Sequence, residues 1–342
     1  MSFAGNAVIA KARAVCGHAL TPEDYTLLSA RENVADVCAY LKQTERYGKA
    51  LSSVNPQTVH RGQLEAILRK SVFDIFERFH TFDHTESRVF FKYIVMQLEI
   101  EQILSALQSV SSGVSMNYIA ALPVFLTDRS QVDLAALGLA KSYAEASAIL
   151  HGTVYEKSVC PALAEALGTG RLDICDIERR LYTDYYMRML KTAEKNYRGS
   201  EKKDLKRLIL GVIDMRNVVT LYRYALFGTG GAKEALIPFK RRISGETIER
   251  LAAERDISKI AAELDSIGYG LHSQELPATV ELLTDRISLE RLKKTLRLSQ
   301  SSSVVYFAFM ELVGIELKNI KTIIEGIRYG LDGAAILGML VV

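Results

Sequence analysis

Tryptophan is absent from this chain of 342 residues, and proline occurs only six times. Such sparse proline favours helices over an all-β architecture, because the turns between strands depend on chain breakers. A strong charge of one sign is also missing, since the net charge is only +3. A nucleic-acid-binding protein normally carries a larger and more clustered positive excess. With 49% apolar and 24% charged residues, the composition is instead typical of a folded globular protein.

Cysteine and long apolar runs are scarce as well. The four cysteines are scattered and include no CxxC pair: Cys16, Cys38, Cys160 and Cys175. This pattern indicates reduced, mostly buried thiols, as in cytosolic proteins. The two most apolar segments, residues 304–310 and 334–342, are far shorter than the ~20 residues of a membrane-spanning helix. Lys11 and Arg13 interrupt the apolar N-terminal stretch, which argues against a secretory signal there.

Apolar residues recur at the spacing of amphipathic helices. Leu64, Ile67 and Leu68 follow the i, i+3, i+4 pattern, and residues 205–213 repeat it. The chain has no convincing run of strand-type alternation between hairpin turns, so we predict an all-α fold. The uncharged segment 334–342 would be a liability if exposed, and we expect it to pack against its own domain or a partner subunit.

One seven-residue motif occurs three times, at residues 99–105, 214–220 and 316–322. Each copy reads acid, aliphatic, charged, carboxamide, β-branched aliphatic, any residue and hydroxyl. The copies start 115 and 102 residues apart, and an apolar, helix-patterned stretch precedes each one. The acids and carboxamides are Glu99 and Gln102, Asp214 and Asn217, and Glu316 and Asn319.

A second element, which ends in tyrosine, precedes each motif. Its copies are residues 41–47, 150–155 and, more loosely, 264–269. Between the two elements of each unit we predict an amphipathic helix, over residues 64–79, 177–190 and 280–296. Two elements recurring in one order indicate three copies of a helical domain, since solenoid repeats are only about 20–50 residues long.

Breaker-rich stretches mark the boundaries of these units. Residues 109–115 are small (SVSSGVS), and Gly228–Gly231 contains three glycines. We therefore predict helical repeat domains at residues 1–112, 113–232 and 233–342. The glycine run lacks the pattern of a phosphate-binding P-loop, so we interpret it as a hinge between domains.

Several segments together carry a resemblance to a known family. They are the run 6–13, the tyrosine element with the following glycine at 41–48, and the closing segments 316–320 and 325–328. In this combination the chain resembles the C subunit of prokaryotic V/A-type ATPases, whose eukaryotic counterpart is the d subunit. The resemblance covers essentially the whole chain and depends on the triple arrangement more than on any one motif.

The resemblance implies a funnel of three similar helical domains with pseudo-three-fold symmetry around a central cavity. It implies a central-stalk subunit, in single copy, on the cytoplasmic face of the membrane. Such a subunit receives the rotor shaft (D- and F-type subunits) and contacts the membrane proteolipid ring, so that ATP hydrolysis or synthesis is linked to proton or sodium transport. It implies no active site and no cofactor. The alternative is a stand-alone helical-repeat scaffold for other partners.

The recurrent acid–carboxamide pairs admit two interpretations. In the functional one they line or rim the socket for the shaft. In the structural one each carboxamide bonds a neighbouring helix or loop and fixes its register, because buried polar groups need partners. The i, i+3 spacing suits both. We favour the structural interpretation, since a duplicated fold would keep such a signature; Gln102 departs from the Asn of the other copies.

A basic and aromatic region is the other candidate site. We predict a docking surface for an acidic partner or anionic headgroups, formed by Tyr185, Tyr186, Arg198, Lys202, Lys203 and Arg241. The alternative is a solvated helix face with tyrosines at the edge of the core. His80 and His84 are four residues apart, but Thr81 stands where a metalloprotease motif has Glu, so we expect no metal site.

Overall fold

The computed structural model describes residues 3–82, 89–113, 124–228, 231–270 and 276–342. These residues form helices joined by loops, with no strand among them, which confirms the all-α prediction. Nothing in the described ranges is both long enough and apolar enough to be a helix that crosses a membrane.

The helices are of two kinds, short ones of 4–15 residues and long ones of 19–29 residues. The first nine are α1 (Phe3–Gly17), α2 (Pro22–Ser29), α3 (Val34–Gln43), α4 (Gly48–Leu51), α5 (Arg61–Phe82), α6 (Phe91–Ser112), α7 (Val124–Thr127), α8 (Leu134–Leu139) and α9 (Tyr143–Leu150). The others are α10 (Glu156–Thr169), α11 (Ile174–Asn196), α12 (Gly199–Phe227), α13 (Gly245–Ala253), α14 (Ile257–Ser266), α15 (Val280–Leu298), α16 (Ser302–Arg328) and α17 (Gly333–Gly338).

One order of elements occurs three times. Two short helices are followed by a buried tyrosine and, later, by two long helices, the second of which carries the acid–carboxamide motif. In the first two copies a further helix, α4 or α10, lies between the tyrosine and the first long helix. The first long helices are α5, α11 and α15, which confirms the three predicted amphipathic helices. The motif helices are α6, α12 and α16.

Side-chain caps fix where the paired short helices begin. In each case the side-chain oxygen of the capping residue accepts a hydrogen bond from an amide in the first turn: Thr21 and Asn33, Asp133 and Ser142, Ser244 and Asp256. Such caps contribute about 0.5–2 kcal/mol each. Helices of 6–10 residues are too short to be stable alone, so their caps and their packing on the long helices hold them.

The chain separates into two compact units. One comprises Met1–Arg88 together with Tyr197–Val342, and the other comprises Val89–Asn196. The three-domain division at residues 112 and 232 stays a prediction. In the first unit α16 packs against α1, α12 and α15. Its apolar stretch 304–310 is buried throughout. This run, which is too short to span a bilayer, is therefore part of the core of the unit.

The segment near residue 342 packs against its own unit. Ile336, Leu340 and Val341 are buried, and the first two join a core with Leu28, Leu41 and residues of α16. This is one of the two placements expected for the uncharged segment. The core of this unit therefore contains residues from near both termini, held on one central helix.

Candidate functional site

The first polar cluster surrounds the buried carboxylate of Glu316 on α16. Tyr47 donates its hydroxyl to Oε1 at 2.5 Å, and Arg46 donates Nε–H to the same oxygen at 3.1 Å. The backbone N–H of Leu20 donates to Oε2 at 3.0 Å. The Arg46 side chain is only 4% exposed, so carboxylate and guanidinium form a buried ion pair with additional hydrogen bonds.

The second cluster has the same design around Glu99 on α6. Tyr155 donates its hydroxyl to Oε2 at 2.5 Å. The Ser130 hydroxyl and the Gln131 backbone N–H donate to Oε1 at 2.8 and 2.7 Å. The carboxylate is buried, and both of its oxygens are used within the chain.

Asp214 on α12 is the centre of the third cluster. Tyr269 donates its hydroxyl to Oδ2 at 2.6 Å. The backbone N–H groups of Arg241 and Arg242 donate to Oδ1 and Oδ2 at 2.9 and 2.8 Å. In all three clusters, a buried acid of a motif helix therefore binds a buried tyrosine and a loop N–H that precedes a short capped helix.

The pairing order differs from the order of the motifs in the sequence. Glu99 accepts from Tyr155 and Asp214 from Tyr269, which follow their acids by 56 and 55 residues. Tyr47, which shares a predicted unit with Glu99, instead binds Glu316, 269 residues away. Each acid thus binds the tyrosine of the next copy, and the last copy binds the first.

The carboxamides bind backbone rather than solvent. Asn217 accepts from the N–H of Ile237 and donates to its carbonyl, both at 3.0 Å. Asn319 does the same with Val341, at 2.9 and 2.7 Å. Each asparagine binds both backbone groups of one residue, and this double contact fixes where that residue lies against the motif helix. Gln102 is buried, but the stretch 20 residues after it falls within residues 114–123, which lie outside the described part of the chain.

These contacts favour the structural interpretation of the acid–carboxamide pairs. All six side chains are buried, and the hydrogen bonds given above for the three acids, Asn217 and Asn319 lie within the chain. A buried carboxylate whose oxygens already accept hydrogen bonds gains little from an external partner. Contact between these residues and a shaft stays a prediction.

The proposed docking residues are distributed over both units, and a common docking surface stays a prediction. Tyr185 and Tyr186 lie in the unit Val89–Asn196, where they are buried, with their ring centroids 5.0 Å apart. They belong to the core, because they follow the buried Leu181 and Tyr182 by about one helical turn and share the apolar face of α11 with them. Arg198 and Lys203 are exposed near the start of α12 in the other unit, with the half-buried Lys202 beside them. Arg241 is half-buried at the third cluster.

Two contributors to these clusters were not predicted from the sequence. Arg46 precedes Tyr47 in the tyrosine element. This position beside a repeated tyrosine could have indicated that Arg46 forms an ion pair with the acid that the tyrosine binds. Ser130 has no counterpart in the repeated motifs. No group of potential metal ligands occurs within the described ranges; Asp83 and His84 of the histidine pattern, and Thr229 and Gly230 of the predicted hinge, lie outside them.

The three cluster tyrosines are strongly held in their neutral form. Burial raises the pKa of Tyr47, Tyr155 and Tyr269, and the adjacent carboxylates raise it further. A phenolate would be desolvated and would lie against a negative charge. Their hydroxyls therefore remain donors to the acids over the whole neutral range.

Alkaline solution is expected to unfold the chain through these tyrosines. Unfolded tyrosine has a pKa of about 10, whereas the folded pKa values are raised, so stability is fully present below about pH 10 and falls as the pH rises. The expected loss is about 1.4 kcal/mol per pH unit for each tyrosine. Urea unfolding between about pH 10 and 12 measures this slope, with a reference at about pH 9 where it is nearly absent.

Two variants distinguish the effect of the cluster tyrosines on stability from other effects of high pH. Tyr155→Phe should remove one tyrosine's share of the slope, while also costing about 1.5–3 kcal/mol for the lost hydrogen bond to a charged group. Tyr329 is 69% exposed, so Tyr329→Phe should leave the slope unchanged. Equal slopes for Tyr155→Phe and the parent chain would contradict the prediction.

Comparison with known proteins places this architecture in a family. A family model described as ATP synthase (C/AC39) subunit matches residues 8–339. The C subunit of the A-type ATP synthase of Thermococcus kodakarensis is 28% identical over 269 residues, which cover 76% of this chain and 67% of that protein. The corresponding C subunit of Thermococcus gammatolerans is 28% identical over 186 residues, covering 53% of this chain and 46% of the relative.

The aligned regions thus span about two thirds and about half of these relatives' own lengths. The family model, by contrast, extends over nearly all of the present chain. The resemblance to the C subunit of V/A-type ATPases is confirmed. The chain belongs to the ATP synthase (C/AC39) subunit family.

Proposed function

We propose that the chain is a non-catalytic central-stalk subunit of a V/A-type rotary ATPase. It couples the rotor shaft of the soluble head to the membrane proteolipid ring, so that ATP hydrolysis or synthesis is linked to proton or sodium transport. The observation that carries the proposal is the family match over residues 8–339, together with relatives named as the C subunit of A-type ATP synthases.

The buried clusters support a mechanical role. Each one ties a long motif helix to a loop and to the tyrosine after a pair of short helices, through hydrogen bonds of 2.5–3.1 Å. Hydrogen bonds to charged groups in a buried setting are strong and directional. A protein that transmits torque must resist deformation between its contact surfaces, and such cross-links make its helices move together.

Exposed apolar side chains support docking to partners. Phe227 at the end of α12 is 80% exposed, and Leu298 at the end of α15 is 58% exposed. Tyr329, Leu331 and Met339 are exposed near residue 342. Large apolar groups in contact with water are favourable sites for burial in an interface. In the proposed assembly, the shaft subunits of D and F type and the ring would cover them.

The proposed assembly has one copy of the chain, attached peripherally at the cytoplasmic face of the membrane. The proposed arrangement of its three repeats is a funnel around a cavity that receives the shaft. Each acid binds the tyrosine of the next copy, and this shared pairing supports three alike repeats. A low-resolution map of the chain in its complex would test this shape.

Affinity purification from membranes tests the coupling role. The tagged chain, expressed at its native level and purified in mild detergent, is expected to recover shaft and proteolipid subunits together with the catalytic head. Recovery of a different set of proteins, without shaft or proteolipid, would support the alternative of an independent scaffold. The purified chain alone is expected to hydrolyse no ATP, and tight ATP binding by a contaminant-free preparation would overturn the non-catalytic proposal.

A further inference from the structure

The third cluster differs from the others in its surplus of positive charge. In the first cluster the Arg46 guanidinium binds Glu316 directly. Around Asp214 the carboxylate oxygens are occupied by Tyr269 and by the backbone N–H groups of Arg241 and Arg242. The guanidinium groups of those two arginines are therefore left for other partners.

Three guanidinium groups converge on the Tyr269 ring. The central carbon of Arg291 lies 4.5 Å from the ring centroid, that of Arg242 lies 5.4 Å away and that of Arg241 5.9 Å. Arg291 comes from α15, whereas the other two precede α13, so the grouping results from tertiary packing. The ring face attracts each cation, but one aromatic ring does not balance three charges.

The donors of this group are incompletely used. Arg241 Nη1 is buried and has no hydrogen-bond partner in the described part of the chain. Arg242 donates one N–H to the carbonyl of Ile267 at 2.5 Å. Burial lowers the pKa of Arg291, and the neighbouring Arg241 and Arg242 lower it further. A buried donor without an acceptor and three mutually repelling cations both disfavour this arrangement in the isolated chain.

An anion would relieve both costs. The three guanidinium groups and Asp214 together carry two net positive charges, and the exposed Lys240, which precedes Arg241 in the sequence, adds another. A phosphate group carries up to two negative charges and offers several acceptor oxygens, which suits planar guanidinium donors. We propose that Arg241, Arg242 and Arg291 form a binding site for a phosphate group. This inference does not depend on the proposed coupling role.

The phosphate group could belong to a small phosphorylated molecule or to a lipid headgroup, which share the recognised chemistry. Two probes distinguish these sources. One is inorganic phosphate, titrated into the purified full-length chain against chloride at equal ionic strength. The other is phosphatidylcholine vesicles with and without phosphatidic acid. Selective binding in either arm supports the site and identifies its source.

Matched arginine variants test the location of the proposed phosphate site. Arg291→Gln and Arg242→Gln are each expected to weaken phosphate or phosphatidic acid binding by about tenfold or more, as for a lost charge-assisted hydrogen bond. Arg223 forms a surface pair with Glu281 in the same unit, and Arg223→Gln removes equal charge. This control is expected to change binding by less than about twofold.

Thermal melting separates ligand binding from structural damage. In phosphate-free buffer Arg291→Gln should melt at the same temperature as the parent chain or higher, because a repelled cation has been removed. Phosphate should raise the melting temperature of the parent but not of the variant. If Arg291→Gln fails to fold, Arg242→Gln, whose side chain is exposed, decides the question.

Three results would overturn the proposal. The first is the absence of saturable binding in both probe arms. The second is binding that the arginine variants leave unchanged relative to Arg223→Gln. The third is preference for a glutamate-rich peptide over phosphate and phosphatidic acid, which would assign the arginines to an acidic protein partner.

Discussion

Glu316→Gln is expected to lower the free energy of unfolding by about 3–5 kcal/mol, the usual cost of breaking a buried ion pair. The substitution preserves the shape of the side chain but removes its charge. Arg46, which is 4% exposed, would then be a buried cation without a counter-ion. The Tyr47 hydroxyl and the Leu20 N–H would lose a charged acceptor at the same time. Chemical denaturation at neutral pH measures the loss.

The location of this pair makes the effect global. The bonded residues are separated by 269–296 positions in the chain, so Glu316 joins the N-terminal helices to α16. Hydrogen exchange of the variant should increase first in α2 and α3, which pack on that helix.

Glu281→Gln is the matched control for Glu316→Gln. Its partner Arg223 is on the surface, with both side chains substantially exposed, and such pairs contribute about 0–1 kcal/mol. Similar losses for the two variants would contradict the assignment of Glu316 as a buried linker. A loss below about 1 kcal/mol for Glu316→Gln would show that water reaches Arg46 readily.

Asn217→Leu is expected to cost roughly 2–6 kcal/mol, because each of two buried backbone groups loses its partner at about 1–3 kcal/mol. Asn217 binds both the N–H and the carbonyl of Ile237, and leucine can bind neither. The fall should be visible as a lower melting temperature and a lower urea midpoint. Asn319→Leu should behave similarly, since Asn319 binds Val341 in the same manner.

The same variant distinguishes the two interpretations of the repeated carboxamide. Gln108→Leu is the control, because Gln108 is an exposed carboxamide on α6 and exposed substitutions usually change stability by less than about 0.5 kcal/mol. If Asn217→Leu melted like the parent chain but failed to assemble with partner proteins, the carboxamide would act at an interface. That outcome would reject the structural interpretation.

Much of the secondary structure was predictable from the sequence. The i, i+3, i+4 spacing of apolar residues determined the all-α class and the long helices α5, α11 and α15, because such periodicity has one structural solution. The three copies of the acid–carboxamide motif were likewise visible in the sequence. Their burial was consistent with the pattern, since a carboxamide inside a helix needs a partner.

The sequence pattern did not determine whether Tyr185 and Tyr186 belong to the core or to a docking surface. Tyr185 and Tyr186 follow Tyr182 by three and four residues, and tyrosines at this spacing beside basic residues suit either a docking surface or the edge of a core. Which face of α11 is covered depends on what packs against it, and Tyr93 of α6 supplies that contact, with its ring 5.8 Å from that of Tyr185.

The partners of the acids were decided only by the tertiary structure. Because the three copies share one local pattern, the sequence is equally compatible with Tyr47 binding Glu99 in its own copy or an acid of another copy. Packing of the N-terminal helices on α16 selects Glu316. Packing of α13 and α15 on α12 brings Arg241, Arg242 and Arg291 to the Tyr269 ring. Helix periodicity is a local property, whereas these contacts join residues from 22 to 296 positions apart. Only the folded chain specifies which of the equivalent surfaces meet.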